Sequence, residues 1–264
     1  MASSNPLPGS PNTSHPSVHS TVELHTPTTL LASPHLPTLC SLINRSFDHS
    51  HNEKGFSYLP RSENARLQTQ TQLGEEVGPN GFILIMLQWD TPSSPPPPDA
   101  GATSGFISST GHRIIGTASA KPYHSNHPIS SSVESTHATH LFKRPPTSSS
   151  QSGADATDTP KWEILAMAVD PSLQGHGLAS QLMNLTIDEI KRRCRSSSHS
   201  TPSSSFTESA SGKVILLISV MKEVYESYYL KRGWTTTATK EIQPGMMGSR
   251  DGFSIVEMYM IVDL

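Results

Sequence analysis

Cysteine is scarce. Cys40 and Cys194 are the only two in 264 residues, far apart and without the spacing of a zinc or redox motif, which points to free core thiols. Long apolar runs are missing too, since nothing approaches the ~20 residues that a transmembrane helix needs. The first 25 residues have neither the charged n-region nor the apolar h-region of a secretory signal, and no Arg. The expectation is a soluble intracellular, cytoplasmic protein with no membrane partner. Charge is sparse: a net charge of -3 leaves no electrostatic footprint for nucleic acid. Thirteen histidines raise the question of metal, but the close pairs His49/His51, His124/His127 and His137/His140 lack a matched Cys or acid cluster. No metal is expected.

What replaces these residues is Ser, Thr and Pro. With 34% hydrophobic and 16% charged residues, the chain reads as one domain carrying unstructured insertions. Residues 1–20 form a low-complexity tail. Low-complexity segments recur at about 91–104, 121–160 and 196–211, each too poor in apolar residues to offset its ordering entropy. Loop-closure cost grows slowly with length, so a stable core tolerates them. A single domain over 21–264 is the expected organisation.

Between the insertions the pattern is orderly. Residues 21–24 read as a short strand, and Leu36, Leu39, Leu42 and Ile43 mark a helix of about 15 residues. Residues 62–77 read as a second helix, with Ser62 as N-cap and Gly78-Pro79-Asn80-Gly81 as its stop. Residues 82–89 (FILIMLQW) form a buried strand whose hairpin partner is 113–120. Residues 162–169 form a third strand, 177–194 a helix, 214–220 another buried strand, and 222–232 a short helix stopped by Gly233. Two strands, 234–242 and 253–262, close the chain. The near-continuous apolar strands of the β-α-β unit 162–220 fit a parallel pair buried on both faces. Strands outside that unit look antiparallel, so the sheet is mixed.

The richest stretch lies inside that unit. An apolar strand meets Asp170-Pro171 and then Gln174-Gly175-His176-Gly177-Leu178-Ala179 before a helix begins. Strand, glycine-bearing turn and helix aim backbone N–H groups and a helix N-terminus at a phosphate. Gly175 and Gly177 let the main chain approach a ligand without a Cβ in the way. A P-loop would need Lys-Ser or Lys-Thr after the glycines, and none follows. A dinucleotide fingerprint would need a third glycine where Ser180 stands, and an acid about 20 residues on; that region is basic and then Ser-rich.

The third reading is coenzyme A. Gln174, Gly177 and Ala179 fill the places of the Gln/Arg-x-x-Gly-x-Gly/Ala loop of motif A, and the segment resembles that of the GNAT superfamily of N-acetyltransferases. The Val-Asp-Pro strand end before it agrees. So does Tyr229-Leu-Lys-Arg-Gly-Trp234 after it, which is similar to the family's Tyr-x-Lys-x-Gly-Phe. The helix ending in Leu42-Ile43-Asn44-Arg45-Ser46-Phe47 looks like the family's first helix.

The resemblance implies an α/β fold with a mixed, mostly antiparallel sheet, helices on its faces and a central splayed parallel strand pair. It implies acetyl-CoA as co-substrate and transfer of its acetyl group to a primary amine, on a small molecule or peptide, in a ternary complex. The alternative is a catalytically inactive acyl-CoA-binding or scaffold module of the same fold.

Contacts to the coenzyme would come from Met167, Ala168 and Val169, freed where the strands splay past Met167, and from Gln174, Gly175, His176, Gly177, Leu178, Ala179 and Ser180. Tyr229, four residues before Gly233, takes the place of the family's thiolate-facing tyrosine. Glu163, eleven before Gln174, takes that of the glutamate base of some members. The backbone N–H of Met167 is the candidate oxyanion donor. His176 reads as a solvent-exposed loop residue. Lys222 and Tyr225 stand where the family often has Asn and Ala, a departure at the second coenzyme-contacting element. The acceptor would meet residues 44–58 and 243–252, which carry no diagnostic charge pattern.

Overall fold

The computed structural model describes residues 20–53, 55, 65–89, 112–123, 159–197, 212–245 and 249–264. The tail 1–19, segment 91–104, the N-cap candidate Ser62 and most of 121–160 and 196–211 lie outside the described residues. At the margins of those segments a few residues belong to described elements. Lys121 and Pro122 extend a strand by pairing with Glu163 and Trp162, and Ser196 and Ser197 finish a helix.

Among the described residues, seven strands form one sheet in the order β1-β2-β3-β4-β5-β7-β6. In chain order they are β1 Ser20–His25, β2 Phe82–Trp89, β3 His112–Pro122, β4 Lys161–Val169, β5 Lys213–Met221, β6 Thr235–Ile242 and β7 Phe253–Asp263. Every neighbouring pair is antiparallel except β4 and β5, which run parallel. Such a pair needs a crossover, here helix α4 (Leu178–Ser197). The fold is the expected mixed α/β sheet flanked by helices.

Alternation along β2 decides which layer packs where. Ile83, Ile85 and Leu87 cluster with Leu39, Leu42 and Ile43 of α2 (Leu36–Glu53). Phe82, Leu84 and Met86 cluster with residues of α4, on the opposite face. The i, i+3, i+4 spacing of the apolar residues of α2 puts them on one stripe. Leu39 and Leu42 are wholly buried, and each side chain stabilises the fold by about 1.5–3 kcal/mol. Helix α1 (Pro27–Leu31) is a short turn capped by Thr26.

Two expected helices come out differently. Among the described residues of 62–77, only α3, Gln72–Val77, is helical. The Asn44 side chain takes the Leu67 N–H at 2.7 Å and donates to its carbonyl at 3.0 Å, so both backbone groups of Leu67 are diverted from a helical ladder. Over 222–232, a π-helical turn (Lys222–Glu226) precedes α5 (Ser227–Leu230).

Candidate active site

The site begins with a slip in register. Between the pairs Ala118↔Met167 and Ala120↔Ile164, β4 has two residues, Leu165 and Ala166, opposite the single Ser119. The Ser119 hydroxyl accepts the Ala166 N–H at 3.1 Å, replacing a ladder bond. A bulge bends and twists its strand, and here the parallel pairing of β4 with β5 ends at Ile164↔Ile218. The splay therefore starts three residues earlier than expected from Met167.

Which backbone groups face the gap follows from the ladder. The Asp170 N–H bonds the Ile115 carbonyl at 2.9 Å, and groups along an antiparallel strand alternate. Ala166, Ala168 and Asp170 thus face β3, while Met167 and Val169 face the gap. This corrects the expectation for Ala168, whose backbone points into the ladder. The Val169 carbonyl accepts the Ser46 hydroxyl at 2.8 Å, which leaves Met167 as the residue presenting both N–H and C=O.

A cavity of about 640 Å³ runs through this gap. Met167, Ala168, Val169, Gln174, Gly175, Gly177, Leu178, Ala179 and Ser180 line it, and so do Glu163 and Tyr229. His176 does not. Its exposed ring folds back on its own loop, with Nδ1 at 3.2 Å from the Leu173 carbonyl oxygen and 3.0 Å from that of Gln174.

The loop is fixed at its base by Asp170, which is fully buried. Its carboxylate accepts from Arg45 of α2 at 2.9 Å, from Arg113 of β3 at 2.8 Å, and from the Ser172 N–H at 3.0 Å. Burial alone would raise this carboxyl; the bonds from Arg113 and Ser172 and the Arg113 charge together outweigh it and hold it below the usual carboxylate range. Beyond it, Gly175 and Gly177 both sit at φ +81°, and a Cβ on either would meet open space. The left-handed backbone, not crowding, demands glycine there.

The first bond of the α4 ladder runs from Gln181 N–H to the Gly177 carbonyl at 3.1 Å. The amides of Leu178, Ala179 and Ser180 therefore precede the ladder, and no acidic side chain stands in the first turn. Unladdered amides in the field of the positive end of a long helix are suited to an anion such as a diphosphate. The chain's residues fit the phosphate end of coenzyme A, and the gap beside Met167 fits its pantetheine arm as an added strand.

Beside the loop stands a polar cluster that the sequence did not reveal. Arg232 Nη2 donates to Ser180 Oγ at 3.0 Å, its guanidinium lies 3.6 Å from the centroid of the Tyr228 ring, and Tyr228 Oη is 3.3 Å from Ser180 Oγ. A basic residue next to a Tyr pair gave the only hint.

Tyr229 is buried, packed edge-on against Tyr228 at 5.1 Å and Trp234 at 5.5 Å. Burial, with Tyr228 and Tyr225 nearby, pushes its phenol far above the ordinary value, against a smaller opposing effect of Arg232. It is a neutral hydroxyl at any working pH. Glu163 is also buried, and alternation puts it on the face opposite Trp162 and Ile164, which pack with Tyr229. Burial raises its carboxyl, opposed by Lys121 with Nζ at 3.5 Å from Oε2. The cavity thus reaches a buried acid on one face of the sheet and a buried phenol on the other. Helix α2 adds Phe47, Ser50 and His51, and the π turn adds Val224 and Tyr225.

Residues 82–204 match the model of the acetyltransferase (GNAT) family. The match includes β2, β3, β4, the glycine loop and α4. No curated protein matches the chain. Among solved structures, it is similar to a histone acetyltransferase HPA2 and related acetyltransferase from Corynebacterium glutamicum, at 15% identity over 91% of this chain and 94% of that one, with TM-score 0.46. It is similar to smu.2055 from Streptococcus mutans UA159 at 11% identity over 91% and 98%, TM-score 0.45. It is similar also to the ribosomal-protein-S18-alanine N-acetyltransferase from Escherichia coli at 13% identity over 93% and 96%, TM-score 0.43. No described helix is long and apolar enough to cross a membrane.

Proposed function

We propose that the chain is an acetyl-CoA-dependent N-acetyltransferase that brings the thioester and a primary amine together in a ternary complex, within one domain over 21–264. The observation that carries this reading is the cavity through the β4/β5 gap, with unladdered amides at one end and Glu163 and Tyr229 on opposite faces. Acetyl-CoA supplies the activated acetyl group. The amides of Leu178, Ala179 and Ser180 hold its diphosphate, and the Met167 backbone aligns the arm so that the carbonyl lies in the gap. Holding both reactants in line accounts for about 7–11 kcal/mol of barrier reduction.

Glu163, with its carboxyl raised toward neutrality, takes the proton from the incoming ammonium or amine. The Met167 N–H donates to the carbonyl oxygen as negative charge gathers there. As the nitrogen–carbon bond forms and the carbon–sulfur bond breaks, Tyr229 donates a hydrogen bond to the departing thiolate, which takes up its proton from solvent. The proton transfer to Glu163 contributes about 10²–10⁴-fold.

Gly177→Glu tests the loop. The φ of +81° imposes about 1–2 kcal/mol of strain, and the new carboxylate sits where the diphosphate must bind. Thermal protection by acetyl-CoA is expected in the parent and absent in the variant. Protection that survives the change means the loop is misassigned. Amine-dependent thiol release from acetyl-CoA then separates the enzyme from an inactive binding module, which would bind without releasing thiol.

A further inference from the structure

On the face away from the glycine loop the cavity changes character. Phe47, Ser50 and His51 follow one another along the inner stripe of α2, across from Val224 and Tyr225 of the π turn and Phe253 and Ile255 of β7. Phe253 and Ile255 are buried in one cluster with Met221 and Ile242, so this wall is backed by core. Tyr225 of the π turn and Ser50 of α2 interact across the cavity. His51 is buried edge-on against Phe47, with ring centroids 3.8 Å apart. Burial lowers its imidazole to about 4, so it is uncharged at neutral pH.

The charged groups of the described cavity wall are few and committed. Glu76 is held bidentate by Arg66 at 2.8 and 2.7 Å, Glu163 faces Lys121, and Arg232 belongs to the glycine-loop mouth. An acceptor with several ammonium groups would therefore bring a second cation against phenyl and aliphatic walls without a counter-ion. Burying a charge unpaired is the most expensive contact a cavity can offer. An amine on an apolar carrier fits instead: the nitrogen lies beside Glu163, and the carrier covers Phe47, Val224 and Phe253.

We propose that the acceptor end, walled by Phe47, His51, Val224, Tyr225, Phe253 and Ile255, selects a primary amine carried on a hydrophobic group over polyamines and amino sugars. This rests on the acetyltransferase reading above. One methylene in an apolar pocket is worth about 10–200-fold in kcat/KM, so the preference is expected to reach at least about 100-fold.

The test is an acceptor panel with the full chain and acetyl-CoA. It includes 2-phenylethylamine, a peptide with an amino-terminal Phe and no Lys, spermidine, glucosamine, and an amino-blocked peptide with one Lys among polar residues. Turnover led by either of the first two supports the proposal, and the faster of them tells whether the hydrophobic amine is free or is a peptide terminus. Fastest turnover of spermidine, glucosamine or the Lys peptide overturns it, as does failure of every apolar amine. Val224→Asp, at a half-buried position of the π turn, is expected to lower kcat/KM for 2-phenylethylamine at least about tenfold and raise it for spermidine; an unchanged ratio overturns the proposal. Acetyl-CoA protection is measured on the same samples. Protection with the wrong amine order sinks this inference alone, whereas missing protection in the parent sinks the acetyltransferase reading as well.

Discussion

Tyr229 and Glu163 are shifted in the same direction by the same cause, burial, yet the shift has opposite uses. A phenol held far above its ordinary value stays protonated, so it can donate a hydrogen bond that stabilises a thiolate but cannot serve as a base. Tyr229→Phe keeps the edge-on packing with Trp234 and removes only the hydroxyl. We expect kcat to fall about 10²-fold while KM for acetyl-CoA is nearly unmoved; unchanged kcat would make the ring a packing element.

Glu163 works only as carboxylate, so its raised carboxyl should place the acid limb of the kcat/KM profile above the ordinary glutamate value of about 4.3. Glu163→Gln should erase that limb and cost about 10²–10⁴-fold. The stability sign is the reverse. A carboxyl raised on folding contributes its full stability below the unfolded pKa and loses it as pH climbs through the folded one. At pH 8 the Gln variant should therefore melt no lower than the parent. A matched loss of activity and melting temperature would assign Glu163 to structure instead.

Among the elements, the ones legible in sequence were those whose own residues dictate them. The apolar run FILIMLQW and the stripe of α4 gave β2 and α4 to within a few residues, and the glycines at φ +81° were already required by the turn they make. What escaped was set by partners distant in the chain. The helix expected from residue 62 is interrupted because Asn44, 23 residues away, clamps Leu67. The splay starts early because Ser119, on another strand, accommodates the bulge in β4. The Arg232–Tyr228–Ser180 cluster joins residues 48 and 52 positions apart, beyond the reach of any local pattern.

Asp170 is a mixed case, visible as the turn before the glycines but not as the knot between β4, α2 and β3. Its carboxyl is lowered on folding, so its contribution is present above the unfolded value near 4 and is lost as pH falls through the folded one. Asp170→Asn should cost about 3 kcal/mol at pH 7, and the gap to the parent should close as pH drops toward 3. Equal melting temperatures at pH 7 would show the knot to be idle.

The connections between elements follow from the same pairing. The β3/β4 ladder runs to Pro122↔Trp162, and the Tyr123 N–H reaches the Lys161 carbonyl at 2.8 Å. The two chains are thus adjacent where residues 124–158 begin and end. We propose that this segment is an insertion in a hairpin that a short turn could close. Replacing it with a four-residue Gly/Asn turn shortens the loop from about 35 residues to about 4, which favours folding by about 2 kcal/mol of closure entropy. The glycine loop and the amides of α4 lie beyond the opposite end of β4, after Val169. The shortened chain should therefore keep acetyl-CoA protection and melt at or above the parent temperature. A lower melting temperature with protection retained would mean that 124–158 contributes contacts to the fold, and loss of protection with the melting temperature intact would give that segment a part in binding.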